Sequence, residues 1–106
     1  MKGRVLGAAL GTALVAATPA LADAIDGAWC HEASRLTING AAIVTPAGAR
    51  IQGDYSRHAF SYVAPPGDAN PGTTVSMRLI NEDTVQLRAG AQAATEVWLR
   101  CGPPIS

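Results

Sequence analysis

The chain is poor in the residues on which most chemistries depend. Its 106 positions hold two Cys, two His, five aromatic residues and a single Lys, with 15% charged residues and no excess of either sign. Two Cys are too few for a dense disulfide scaffold. No apolar run of about 20 residues follows the N-terminus, so no mature membrane span is expected. Gly-x-Ser-x-Gly elbows, phosphate-cradling glycine loops and zinc-helix motifs are all missing, and Ser34, Ser56, Ser61, Ser76 and Ser106 stand in no nucleophile pattern. Ser56 lies two positions from His58, but a hydroxyl is activated only by a base that a third group orients. Catalysis is therefore not expected. An apolar content of 48% with zero net charge also rules out a disordered chain. One small globular domain remains.

The N-terminus reads as an address. Lys2 and Arg4 precede an apolar run over 5–17, Pro19 breaks it, and Ala20-Leu21-Ala22 supplies a small-x-small cleavage site. About 13 apolar residues cannot cross about 30 Å of hydrocarbon, which favours a cleaved signal peptide over an anchor. The expected division is a signal peptide, 1–22, and a single β-domain, 23–106, in the periplasm or secreted. Loss of Lys2 and Arg4 removes two positive charges and takes the net charge from zero to −2. The six remaining basic residues are all Arg and form no run, so nucleic acid is not an expected partner.

Cys30 opens the mature chain and Cys101 closes it. In an oxidising compartment, and without Cys-x-x-Cys partners, they are expected to form one structural disulfide. Chain entropy then allows a contribution of roughly 4 kcal/mol, comparable to the net stability of a core this small.

No 3.6-residue apolar stripe of useful length follows Ala22. Short alternating segments appear instead, at 27–32, 35–38, 42–45, 49–55, 58–63, 74–80, 84–88 and 95–101. Asn39-Gly40 is a hairpin signal that sets Leu36 opposite Ile43 and Ile38 opposite Ala41. A three-residue loop at Pro46-Ala47-Gly48 sets Ile43 opposite Ile51. A reversal at Ser56-Arg57 sets Ile51 opposite Tyr62, Gly53 opposite Phe60 and Tyr55 opposite His58. Leu36, Ile43, Ile51 and Tyr62 then share one face, and a slip of one residue would reverse it. Beyond the Pro- and Gly-rich loop 65–72, a loop at Asn81-Glu82-Asp83 sets Leu79 opposite Val85 and Met77 opposite Leu87. The expected fold is all-β: an antiparallel meander of about eight short strands that a disulfide between first and last strands closes into a small barrel, with a two-sheet β-sandwich as the alternative. Trp29 and Trp98 fall on the face opposite their neighbouring Cys, so one of the two pairs must point outward unless a bulge intervenes.

Gly27-Ala28-Trp29 on the first strand resembles the Gly-x-Trp opening of lipocalins and related calycin barrels. The resemblance implies a barrel that carries an apolar ligand and an Arg from the last section of the chain laid over the Trp, the position held by Arg100. The mature chain also resembles small uncharacterised secreted proteins of alphaproteobacteria, which implies an envelope address and no activity. Eight strands of five or six residues would each send about three side chains inward, enough to fill such a barrel.

The functional expectation is a non-catalytic periplasmic or secreted binding module, without cofactor, that presents loops 55–58 and 65–72 to an envelope or secreted protein. Tyr55, Arg57, His58, Trp29 and Trp98 are its candidate binding residues. A calycin-like carrier of an apolar ligand or metal and a periplasmic hydrolase inhibitor are the alternatives. His31, Glu32 and His58 are the residue types that ligate zinc or copper. With only two His, they are read as strand ends and turns, and no metal is expected.

Overall fold

The computed structural model describes residues 24–102; the expected signal peptide lies outside them. The described residues contain nine strands and no helix: β1 (Gly27–His31), β2 (Ser34–Asn39), β3 (Ala42–Val44), β4 (Arg50–Gln52), β5 (Asp54–Ser56), β6 (Ala59–Val63), β7 (Thr74–Asn81), β8 (Thr84–Ala89) and β9 (Glu96–Arg100). They form one antiparallel sheet in the order β4-β3-β2-β1-β9-β8-β7-β6-β5. Its two outermost strands are consecutive in the chain and joined only by Gly53, so the sheet curls into a nearly closed barrel. A single all-antiparallel sheet also excludes the sandwich.

The strand expected at 49–55 is thus two strands, and packing at Gly53 explains the break. A Cβ there would lie 2.5 Å from the Ser61 carbonyl oxygen and 2.6 Å from the Phe60 ring. Only glycine lets the chain leave β3, its partner before the break, and pass close enough to β6 to pair with it afterwards. The Gly53 amide donates to the Ala41 carbonyl at 2.8 Å, carrying the first partnership up to the seam.

Alternation decides the faces. Leu36, Ile38, Ile43, Phe60, Tyr62, Val75, Met77, Val85, Leu87 and Trp98 are buried, while their strand neighbours are more exposed. Ile43 pairs with Ile51, Leu79 with Val85 and Met77 with Leu87, as the alternation requires. Two turns differ by one position. Asn39 pairs with Ala42 around Gly40-Ala41, which puts Ile38 rather than Leu36 opposite Ile43. The Gly40 amide is held by Asp26 Oδ2 at 2.8 Å and the Ala41 carbonyl by Gly53, so tertiary bonds place the turn. Likewise Tyr55 pairs with Phe60 and Ser56 with Ala59 around Arg57-His58. There the Arg57 carbonyl accepts from the Ile25 amide and the His58 carbonyl from the Leu79 amide, each at 2.8 Å. Moving a turn by one position shifts partners by two, so no side chain changes face. In the β7–β8 hairpin Asn81 pairs with Thr84 around Glu82-Asp83, and an irregularity between Leu79 and Asn81 absorbs the third residue expected in that loop.

β1 and β9 join the first and last strands through Trp29 opposite Arg100 and Cys30 opposite Leu99. Cys30 and Cys101 are disulfide-bonded beside this pairing, with Cα atoms 5.1 Å apart. Trp29 and Trp98 point inward at 0% and 4% exposure, so the half-buried cysteines take the outer face. A bulge is not needed to reconcile the two pairs.

Candidate functional site

The two ends of the barrel are built differently. One end carries the two-residue turns 40–41, 57–58 and 82–83, and residues 24–26 fold across it. Ile25 is fully buried there as a plug, and its carbonyl accepts from Trp29 Nε1 at 2.8 Å. Over the plug lies Arg100, whose guanidinium carbon sits 4.2 Å from the centre of the Trp29 ring. Its Nε donates to the Glu82 carbonyl at 2.7 Å, Nη1 to the Asp26 carbonyl at 2.7 Å and Nη2 to the Ala24 carbonyl at 3.2 Å. Gly27 makes room for this fork: at φ +121° it has no Cβ, and one would fall 2.6 Å from Arg100 Nη1.

Polar groups complete the seal. Tyr55, 39% exposed, donates its hydroxyl to Asp26. Burial pushes the Asp26 carboxyl up, but hydrogen bonds from the Tyr55 hydroxyl, the Gly40 amide and its own backbone, with the Arg100 charge, outweigh it and leave the group below its ordinary value. The same bond, with burial, raises Tyr55 above its ordinary value.

The opposite end is open. It carries the β1–β2 turn and the longer connections 45–49, 64–73 and 90–95; the turn and the first two of these connections wall a cavity of about 470 Å³. The floor is the upper layer of the core: Tyr62, Val75, Leu87 and Trp98, each at most 6% exposed. The rim carries Glu32, Asp68 and Glu96. Hollows of about 490 and 620 Å³ also lie along β7 and β8, but on the outer wall, where the exposed Ser76 and Arg88 line both. The mouth differs from them in having a buried aromatic floor, the feature that distinguishes ligand sites from surface creases.

Each polar group at the mouth has a definite origin. Glu96 pairs with Leu87 and shares the inward parity of Trp98; its Oε1 accepts from Trp98 Nε1 at 3.0 Å. His31 stacks on Trp98 with ring centres 5.3 Å apart and donates from Nδ1 to the Val97 carbonyl at 3.0 Å. Asp68 is anchored from loop 64–73 to the β3–β4 connection, its Oδ1 accepting from the Thr45 hydroxyl and the Ala47 amide, each at 3.0 Å. Thr45 is itself 1% exposed, and its hydroxyl also accepts from the Ala49 amide at 3.1 Å. The Tyr62 hydroxyl has no hydrogen-bond partner among the described residues. Burial, then the Asp68 charge, pushes it up to about 12, so it stays a phenol. A buried hydroxyl without a partner costs roughly 1–3 kcal/mol unless water or a ligand serves it. Glu32 and Asn70, the described non-glycine residues at positive φ (55° and 51°), both stand on this rim. Such a backbone costs about 1–2 kcal/mol in a residue with a Cβ.

The candidate residues from the sequence divide between the two ends. Tyr55, Arg57 and His58 belong to the sealed end and Trp98 to the mouth, while Trp29 is enclosed under Arg100. Loops 55–58 and 65–72 therefore do not form one surface. His31 and Glu32 lie at the mouth with His58 at the far end, and no three His, Cys, Asp or Glu among the described residues are grouped to hold a metal. Tyr62, Asp68 and Glu96 were not singled out as site residues. Glu96 had a signal, since it shares Trp98's parity on a strand whose other inward residues are large. Asp68 lies within loop 65–72, which the sequence offers as a binding loop without distinguishing any residue in it.

No protein-family model, curated protein or solved structure matches this chain. Among the described residues no helix is long and apolar enough to cross a membrane.

Proposed function

We propose that the protein is a non-catalytic, exported binding barrel that takes a small, largely apolar molecule into its open end. The observation that carries this reading is the asymmetry of the ends: one is plugged by Ile25 beneath Arg100, and the other leaves about 470 Å³ above a buried floor. A volume within the roughly 300–1,000 Å³ of small-molecule sites, with an apolar floor beneath a polar rim, suits binding by burial on the floor and orientation by the rim. Loop 65–72 then serves as part of the cavity wall, and loop 55–58 as part of the seal.

A neutral fluorescent probe, N-phenyl-1-naphthylamine, tests the reading. Wild type should take up one probe per barrel, and Ala89→Phe, which fills the mouth from β8, should abolish uptake while far-UV circular dichroism stays unchanged. Absence of uptake, or equal uptake by the filled variant, would overturn the proposal.

A further inference from the structure

Resting on that reading, we infer that the ligand is an organic cation: an ammonium group on a compact apolar or aromatic body. Three carboxylates line the mouth, Glu32, Asp68 and Glu96, and the lining contains no Lys or Arg. Arg35 on β2 and Arg88 on β8 alternate with the inward Leu36 and Leu87 and so face away from the lumen, while Arg100 on β9 points inward only at the sealed end, where the Asp26, Ala24 and Glu82 carbonyls hold it. A cleft lined by charge of one sign above an apolar floor concentrates the field of that rim and favours positive charge.

Two of these carboxylates are held in place from one side. Asp68 Oδ1 is occupied by Thr45 and Ala47, and Glu96 Oε1 by the Trp98 indole. The second oxygen of each has no donor among the described residues, which leaves a preset acceptor for an ammonium N–H. The indole of Trp98 adds an aromatic surface of the kind on which cations rest.

The Tyr62 hydroxyl is the independent observation. Tyr62 lines the cavity at 6% exposure, and its hydroxyl, close enough to Asp68 to feel its charge, takes part in no hydrogen bond with the described residues. A group buried to this extent without a partner within the fold contributes nothing to folding that a phenylalanine would not. Its oxygen can accept from the cation while Trp98, Leu87 and Val75 enclose the body.

Three probes of equal reach separate the alternatives: 2-phenylethylamine, 2-phenylethanol and 3-phenylpropionate, titrated against the full mature protein with intrinsic tryptophan fluorescence as readout. The amine should bind about tenfold more tightly than the alcohol, the carboxylate should be weakest, and raising salt from about 20 to about 500 mM should cut the amine advantage severalfold. Glu96→Gln, which can still accept from the indole, should bring the amine close to the alcohol. Tyr62→Phe should weaken amine binding while melting at or above the wild-type temperature, an outcome a purely structural tyrosine would not give. Equal binding of amine and alcohol, or preference for the carboxylate, would overturn the cation assignment and leave the binding barrel standing. Failure of all three together with the neutral naphthylamine probe would remove both.

Discussion

Replacing Arg100 by Ala should be among the most damaging single changes available to this chain, although the side chain is only half-buried. Its fork supplies three hydrogen bonds to backbone carbonyls, of Glu82, Asp26 and Ala24, and covers the Trp29 ring at 4.2 Å. Bonds from a charged donor contribute about 1.5–3 kcal/mol when buried, and partial exposure brings the three together to roughly 2–3 kcal/mol. The stacked cation adds about 0.5–1 kcal/mol. A loss of about 3 kcal/mol is expected, or roughly 12–24 °C in Tm for a domain of this size. Urea denaturation followed by far-UV circular dichroism, with the disulfide intact, measures it directly, and an unchanged m-value shows that the unfolded state is the same. Arg100→Lys keeps the charge but not the planar fork and should recover less than half. Gly27→Ala provides the second arm of a cycle, because its methyl would strike Nη1. With Ala at 100 the collision disappears and only the backbone strain at φ +121° remains, so the two losses should fall short of additive by about 1 kcal/mol or more. A loss below about 0.5 kcal/mol for Arg100→Ala, or strict additivity in the cycle, would refute the clamp.

Replacing both Cys30 and Cys101 by Ser opens a loop of sequence separation 71 and should lower stability by up to about 4 kcal/mol; an unchanged denaturation midpoint would remove the disulfide from the account. Gly53→Ala drives a methyl against the Ser61 carbonyl and the Phe60 ring at the seam of the barrel, and should cost at least about 2 kcal/mol, measured by the same denaturation. Tyr62 links stability to alkaline pH. Its folded value, about 12, stands above its ordinary 10.0, so the full contribution is present below 10.0 and is lost as pH rises through the interval to 12. Wild type should lose stability there, roughly 1–2 kcal/mol once solvent screening at the open mouth is allowed for, and Tyr62→Phe should flatten that part of the profile. Asp26 works in the opposite sense: its folded value lies below 3.8, so its contribution is present above 3.8 and is lost as pH falls through the folded value. Asp26→Asn should therefore show a shallower acid transition by circular dichroism.

Period-two alternation carried much of this fold. The pairs Ile43–Ile51, Leu79–Val85 and Met77–Leu87 follow from it together with the connections at 46–48 and 81–83, because a slip of one residue would turn the apolar partners outward and the loop lengths choose among the rest. The positions of two turns did not follow. Asn39-Gly40 is the stronger local hairpin signal, yet Asp26 holds the Gly40 amide and Gly53 holds the Ala41 carbonyl, and such bonds join residues far apart in sequence. The break at Gly53 was hidden for the same reason, since it depends on where Phe60 and Ser61 arrive. The mouth was least legible. Tyr62 reads as one more member of an apolar stripe, and its missing hydrogen bond becomes visible only when every neighbour has been placed.

Turn length is the one property of the sequence that announces which end of the barrel can carry function. At the sealed end the three two-residue turns 40–41, 57–58 and 82–83 leave little beyond the rim, so a short segment such as 24–26 suffices to plug it, whereas the open end has a single such turn among the described residues, 32–33. Connections of five to ten residues, as at 45–49 and 64–73, rise above the last layer of core side chains. They must find partners for their own backbone and polar groups there. The Thr45–Asp68 bond answers that need by tying two of these connections to each other rather than to the core, and the space between them stays open. Glu32 at φ 55° on the same rim is the first residue of the two-residue turn between His31 and Ser34, a hairpin that requires a positive φ there. A chain whose core is barely large enough to stabilise one sealed end thus holds the other end open through hydrogen bonds among its loops, without adding core residues to line it.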